Sequence, residues 1–186
     1  MLEHKNIELT GRCEKTAGAV IELLKSKALK LALSESCTAG LVSALLAGTS
    51  GASEVLWGSF VCYTQEAKVK MLGLDNDTLT ENGLVSRETA CAMARGALLK
   101  SGADISAAVT GLAGPGGDGR VPVGTVWIAE AVRGADAKAK EFVFTGSRNN
   151  VRMQAALAVL EEILEWLETD NFCERAAVRA ARGAAP

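Results

Sequence analysis

Short apolar runs alternate with helical patterns along nearly all of the 186 residues, and few architectures accept that order. Ala17, Val20, Ile21, Leu23 and Leu24 recur at helical spacing and predict a helix over residues 10–28. LKLALSES (29–36) reads as a strand running into a turn, and TAGLVSALLAG (38–48) as a helix that stops at Gly48. VLWGSFVCYT (55–64) is a second strand, QEAKVKMLG (65–73) a short helix and TENGLVS (80–86) a loop. Ser86 is placed to cap a helix over 87–102. DISAAVTG (104–111) is a small-residue strand suited to the middle of a sheet. VGTVWIAEAV (123–132) and AKEFVFTG (139–146) predict a hairpin across GADAK, and an amphipathic helix covers about 148–168. The order implies an α/β fold: a single-domain three-layer sandwich, with a mixed β-sheet flanked by helices. No repeat or linker divides the chain. A polar segment at 1–11 precedes a domain at 12–168. An Ala/Arg-rich tail at 169–186 follows, where Arg175, Arg179 and Arg182 share helical spacing and a frayed or disordered state is expected.

Counts of a few residue types remove whole classes of chemistry. The single histidine, His4, lies in the polar opening segment, where a solvated position is expected. A Ser-His-Asp triad or a multi-histidine metal site needs a histidine in the folded body. Five scattered cysteines with no CxxC pair, in a chain opening without a signal-peptide pattern, read as reduced thiols of a cytoplasmic protein. Twenty basic against twenty-two acidic residues leave a net charge of −2, which removes the electrostatic case for nucleic-acid binding. No apolar run approaches the roughly 20 residues of a membrane span.

In open α/β sheets ligands gather where strands end, and three polar or glycine-rich segments are predicted there: SESCTAG (34–40), CYTQEAK (62–68) and VTGLAGPGGDG (109–119). A serine between a strand and a helix sits near unpaired helix amides, so Ser36 or Thr38 serves either as a helix cap or beside an oxyanion. Cys37 is a rival nucleophile, since a helix N-terminus lowers a thiol pKa. With no usable histidine, the base for a serine nucleophile must be Lys, Tyr, Asp or Glu. Tyr63, the only tyrosine, closes an apolar strand and Lys68 follows one turn later. A lysine in a pocket loses preference for its charged form, and Tyr63 is placed to hydrogen-bond that amine and relay its proton. The glycine-rich loop matches neither GxxxxGK[ST] nor GxGxxG; it is either an anion cradle of backbone amides or a surface turn. Arg148 and Arg152, four residues apart, form either a phosphate clamp or a salt-bridged helix face.

Taken together, ESCTAG (35–40), YTQEAKVKMLG (63–73), GLVSRETA (83–90), AVTGLAGPGG (108–117), PVGTVWIA (122–129) and FTGSRNNVR (144–152) resemble, in order, the C-terminal domain family of the competence/damage-inducible protein CinA, whose members include nicotinamide-nucleotide amidohydrolases. The resemblance spans about residues 12–167 and matches the stand-alone form. It implies deamidation of nicotinamide mononucleotide (NMN) to nicotinate mononucleotide and ammonia. Ser36 is then the nucleophile, Lys68 its base and Tyr63 the third member. The amides around Cys37 and Thr38 are candidates for the oxyanion hole. Thr110, Gly111, Gly114 and Gly116 are placed to hold the nucleotide, with Arg148 or Arg152 near its phosphate. The resemblance calls for no metal or organic cofactor, and implies a small-molecule nucleotide as partner and a homo-oligomer. Two positions depart from the family: Ala39 stands where glycine is common, and Ser147 where an acid is common. Two other readings are a catalytically silent nucleotide-sensing or assembly domain and an amidase acting on another small substrate.

Overall fold

The computed structural model describes residues 2–169, with side chains from residue 7 onward. It comprises α1 (Leu2–Ser26), β1 (Leu31–Glu35), α2 (Leu41–Ala47), α3 (Ala52–Val55), β2 (Leu56–Val61), α4 (Gln65–Leu72), α5 (Asn76–Asn82), α6 (Arg87–Ser101), β3 (Ile105–Gly111), β4 (Thr125–Val132), β5 (Lys138–Val143) and α7 (Arg148–Glu168). The five strands form one mixed sheet in the order β2-β1-β3-β4-β5. β1 runs parallel to both β2 and β3, whereas β4 and β5 are antiparallel and joined as a hairpin.

Strand alternation divides the core in two. Leu31, Leu33, Ile105, Ala107, Val109, Val126 and Ile128 face α1, α2 and α7. Ala108, Ala129 and Ala131 face α6, and their small side chains admit that helix closely. Ser106 Oγ on this face donates to Ala94 O of α6 at 2.7 Å. Helices thus cover both faces, and the expected α/β three-layer architecture is the observed one. No helix among the described residues is long and apolar enough to cross a membrane.

Several boundaries differ from the sequence expectation, each for a local reason. α1 begins at Leu2 rather than near residue 10. The polar opening contains no proline, and Leu9 packs against the same core as Cys13 and Ala17. α5 occupies residues expected to be partly loop, because Asp75 caps it by accepting from Thr78 N at 2.8 Å while Leu79 is buried. α2 starts three residues later than expected, since Ala39 and Gly40 are left-handed (φ 53° and 92°) and end in a turn. Ser86 caps α6 as expected, accepting from Thr89 N. The tail arginines 175, 179 and 182 and the His4 side chain lie outside what is described.

Gly124 opens β4 at φ +98°, and a Cβ there would lie 2.0 Å from Phe144 O. Gly134 is also left-handed (φ +78°) but has nothing within 4 Å. Gly134→Ala should therefore cost only the conformational penalty of roughly 1 kcal/mol. Gly124→Ala should cost about 3 kcal/mol or more, because backbone must also move. Urea unfolding of the two variants measures the difference; equal losses would contradict the close approach.

Candidate active site

The parallel strands β1, β2 and β3 all end on one edge of the sheet, and the candidate residues emerge there. Ser36 follows β1 directly. Its amide donates to Val109 O of β3 at 2.9 Å, and Cys62 N donates to Glu35 O at 2.8 Å, so both neighbouring strands hold the base of the turn. Ser36 is 8% exposed and Lys68 1%. Thr64 caps α4, which turns Lys68 and Leu72 inward on one helical face. Lys68 Nζ lies 2.8 Å from Ser36 Oγ and donates to Cys62 O at 2.8 Å. None of the ion pairs among the described residues includes Lys68. Burial lowers its pKa to about 8.

Glu35 was not singled out in the sequence, yet it organises the turn. Its buried carboxylate accepts from Thr38 Oγ1, Gly40 N and Val42 N on one oxygen, and from Ser43 N and Ser59 Oγ on the other, at 2.9–3.1 Å. Three of these donors are amides at or near the start of α2 that the helix itself leaves unpaired. An acid between a strand and a predicted helix was the available signal. By contrast, the amides of Cys37 and Thr38 donate to no acceptor among the described residues, although both residues are buried.

Cys37 does not behave as the reactive thiol that a helix N-terminus would produce. It precedes α2 by a full turn of chain, and burial pushes its pKa up to about 12. Tyr63 also departs from expectation. Cys62 is fully buried, so the next side chain points outward, and Tyr63 is 51% exposed. Its hydroxyl accepts from Arg148 Nη2, while the Cys62 carbonyl occupies the place beside Lys68 that was expected for it.

The two arginines separate. Arg148 is exposed and also donates to Gly114 O at 2.6 Å, which ties the glycine-rich loop to the end of β2. Arg152 is half-buried and donates from Nε to Cys37 O at 3.2 Å and from Nη2 to Thr38 O at 2.8 Å. Thr110 Oγ1 donates to Leu84 O at 2.7 Å, so it fixes the segment ahead of α6. Gly111 lies against β4, where a Cβ would come 2.7 Å from Val126. Gly114 is buried, and a Cβ there would lie 2.5 Å from Val123, whereas Gly116 is exposed and a Cβ there would meet nothing within 4 Å. Ala39 occupies a left-handed backbone region (φ 53°) that costs a residue with a Cβ roughly 1 kcal/mol relative to glycine. Ser147 caps α7 by accepting from Asn150 N, a task that an acid performs equally well.

Residues 13–167 match the CinA C-terminal domain model. The chain belongs to the CinA C-terminal domain family. A CinA-like protein of Geobacter sulfurreducens is 43% identical over 150 residues, covering 80% of this chain and 35% of that protein. A CinA-like protein of Thermotoga maritima is 39% identical over 156 residues, covering 83% and 38%. This chain therefore spans little more than a third of the length of these relatives. Solved structures agree with the fold. The competence/damage inducible protein CihA from Agrobacterium tumefaciens superposes with a TM-score of 0.80 at 38% identity, covering 85% of this chain and 96% of that one. A competence or damage-inducible protein from Enterobacter asburiae gives 0.80 at 32% identity, covering 84% and 98%.

Burial of Lys68 has a thermodynamic signature. Its folded pKa lies below the ordinary value near 10.4, so the charged form is penalised in the fold and not in the unfolded chain. The penalty is fully present below pH 8 and fades as pH rises toward 10.4. Relative to Lys68→Met, the wild type should gain stability across that window, as measured by denaturant unfolding at several pH values. Parallel pH dependences would contradict it.

Proposed function

We propose that this protein is a serine amidohydrolase that deamidates NMN to nicotinate mononucleotide and ammonia. The observation that carries the reading is the buried Lys68 amine, 2.8 Å from Ser36 Oγ, without a carboxylate partner among the described residues and with a pKa lowered to about 8. A neutral amine in that position is a base for a hydroxyl. The choice of substrate is supported by the resemblance to a family whose members include nicotinamide-nucleotide amidohydrolases.

In this mechanism Lys68 Nζ takes the Ser36 hydroxyl proton as Oγ bonds to the carboxamide carbon. The carbonyl electron pair moves onto oxygen, where the free amides of Cys37 and Thr38 receive it. Lys68 returns the proton to the amide nitrogen, the C–N bond breaks and ammonia leaves. Water then attacks the acyl-enzyme, again giving a proton to Lys68, and nicotinate mononucleotide departs as Ser36 is regenerated. Exposed Arg148 is the phosphate contact, with Tyr63 beside it at the mouth of the site. Leu84 and Val123, both partly exposed beside the glycine-rich loop, offer apolar surface to the pyridine ring.

Purified protein incubated with NMN should release ammonia. Ser36→Ala should lower the rate by about three orders of magnitude with the fold intact, while Cys37→Ala changes it only a few-fold. Substantial activity in folded Ser36→Ala would overturn the mechanism. Catalytic efficiency should rise with pH through about 8, because only the neutral amine accepts the proton. Lys68→Arg keeps the charge but holds its proton, so it should be as inactive as Lys68→Ala. Lys70→Ala removes an exposed lysine paired with Glu66 and should remain active. Arg148→Leu should chiefly raise KM for NMN and leave the phosphate-free riboside nearly unaffected; equal effects on both would deny the phosphate contact.

A further inference from the structure

The two arginines at the start of α7 do not share one task. Arg152 turns its guanidinium to the back of the nucleophile turn, where Nε holds the Cys37 carbonyl and Nη2 the Thr38 carbonyl. Its Nη1 donates to Asn149 Oδ1 at 3.4 Å, within its own helix. Three donors are thereby directed at protein acceptors, and the side chain is half-buried.

A trans peptide is planar, with its C=O and N–H pointing in opposite directions. Holding the Cys37 carbonyl toward Arg152 therefore directs the Thr38 N–H to the opposite face of the turn. Holding the Thr38 carbonyl does the same for the Ala39 N–H, which donates to Ser36 O at 3.1 Å. That bond points the Ser36 carbonyl toward Ala39, so the Cys37 N–H faces away from it. Of the two amides without an acceptor among the described residues, that of Thr38 has its peptide plane held by Arg152, and that of Cys37 by the Ala39–Ser36 bond. A cation on the Cys37 carbonyl also polarises the peptide and strengthens its N–H as a donor.

We infer that Arg152 is a positioning residue for the amidase reaction, aiming and polarising the Thr38 amide at the developing oxyanion rather than gripping the substrate phosphate. This rests on the serine amidohydrolase reading above. Glu35 fixes the same turn from its other side through Thr38 Oγ1 and Gly40 N, so the turn keeps an anchor when Arg152 is replaced.

The test pairs NMN kinetics with a probe that carries no nucleotide phosphate: a neutral alkyl fluorophosphonate, whose attack by Ser36 also places charge on an oxygen. Loss of one oxyanion donor costs about 10²–10³ in rate, so a misaimed one should cost about 10–100-fold. Arg152→Ala should lower kcat for NMN by that factor with KM within about twofold, and should slow Ser36 phosphonylation in proportion. Arg152→Lys, which retains one donor and the charge, should fall between it and wild type. Guanidinium ion at millimolar concentration should restore part of the rate to Arg152→Ala and none to Arg152→Lys, a result that general unfolding would not give. A large rise in KM with unchanged phosphonylation would overturn the inference and make Arg152 a phosphate ligand. Normal phosphonylation of wild type at Ser36 with no NMN hydrolysis would overturn the substrate while leaving Arg152 tested by the probe alone. No phosphonylation of wild type at Ser36 would overturn both.

Discussion

The Glu35 carboxylate is the interaction on which this site depends. A buried anion is costly unless its oxygens are filled with donors, and here five groups from the turn, α2 and β2 fill them. Satisfying that charge requires the chain to bend sharply after β1, which brings residue 39 into the left-handed region and delays α2 to Leu41. The bend in turn leaves Ser36 at the end of β1 and the amides of Cys37 and Thr38 without acceptors among the described residues. Removing the charge would free the start of α2 and Ser59 together, so the turn and the sheet edge are coupled through one side chain.

Lys68 supplies the complementary constraint. A lysine that is 1% exposed and has no ion-pair partner among the described residues is destabilising when protonated. Such a residue persists where function needs a base near neutral pH, at a cost in stability. The fold places it with little adjustment. β2 ends beside β1, Thr64 caps α4 immediately afterwards, and the first inward position one turn into the helix is Lys68. Parallel pairing of β1 with both β2 and β3 brings turn, helix and glycine-rich loop to one edge.

Much of this was legible in the sequence because it depends on local patterns. Alternating apolar periods indicated the α/β layering, SAAVTG a covered central strand, and Ser86 a helix cap. With the single histidine in the polar opening segment, elimination left Lys, Tyr, Asp or Glu as a base for a serine, and the family resemblance assigned Ser36 and Lys68. What escaped depended on direction rather than composition. Tyr63 and Lys68 are close in sequence, but burial of Cys62 sends Tyr63 outward to Arg148. Arg148 and Arg152 lie on one helical face, yet one turn of helix separates an exposed loop contact from the carbonyls of the turn after β1. Glu35 looked like one more polar residue because its five donors become neighbours only after the turn has formed. The short helix α5 was partly read as loop, since a single buried residue, Leu79, gives no measurable period.

The central claim is that burial converts Lys68 into a base for Ser36 near neutral pH. Nitrogen-detected NMR of lysine side-chain amines, titrated from pH 6 to 11 with Lys68→Met as the assignment control, tests it most directly. The account predicts that Lys68 Nζ titrates near pH 8, more than two pH units below the ordinary lysine value of about 10.4. A Lys68 signal that remains an ammonium until pH 10 and titrates with the surface lysines would contradict it.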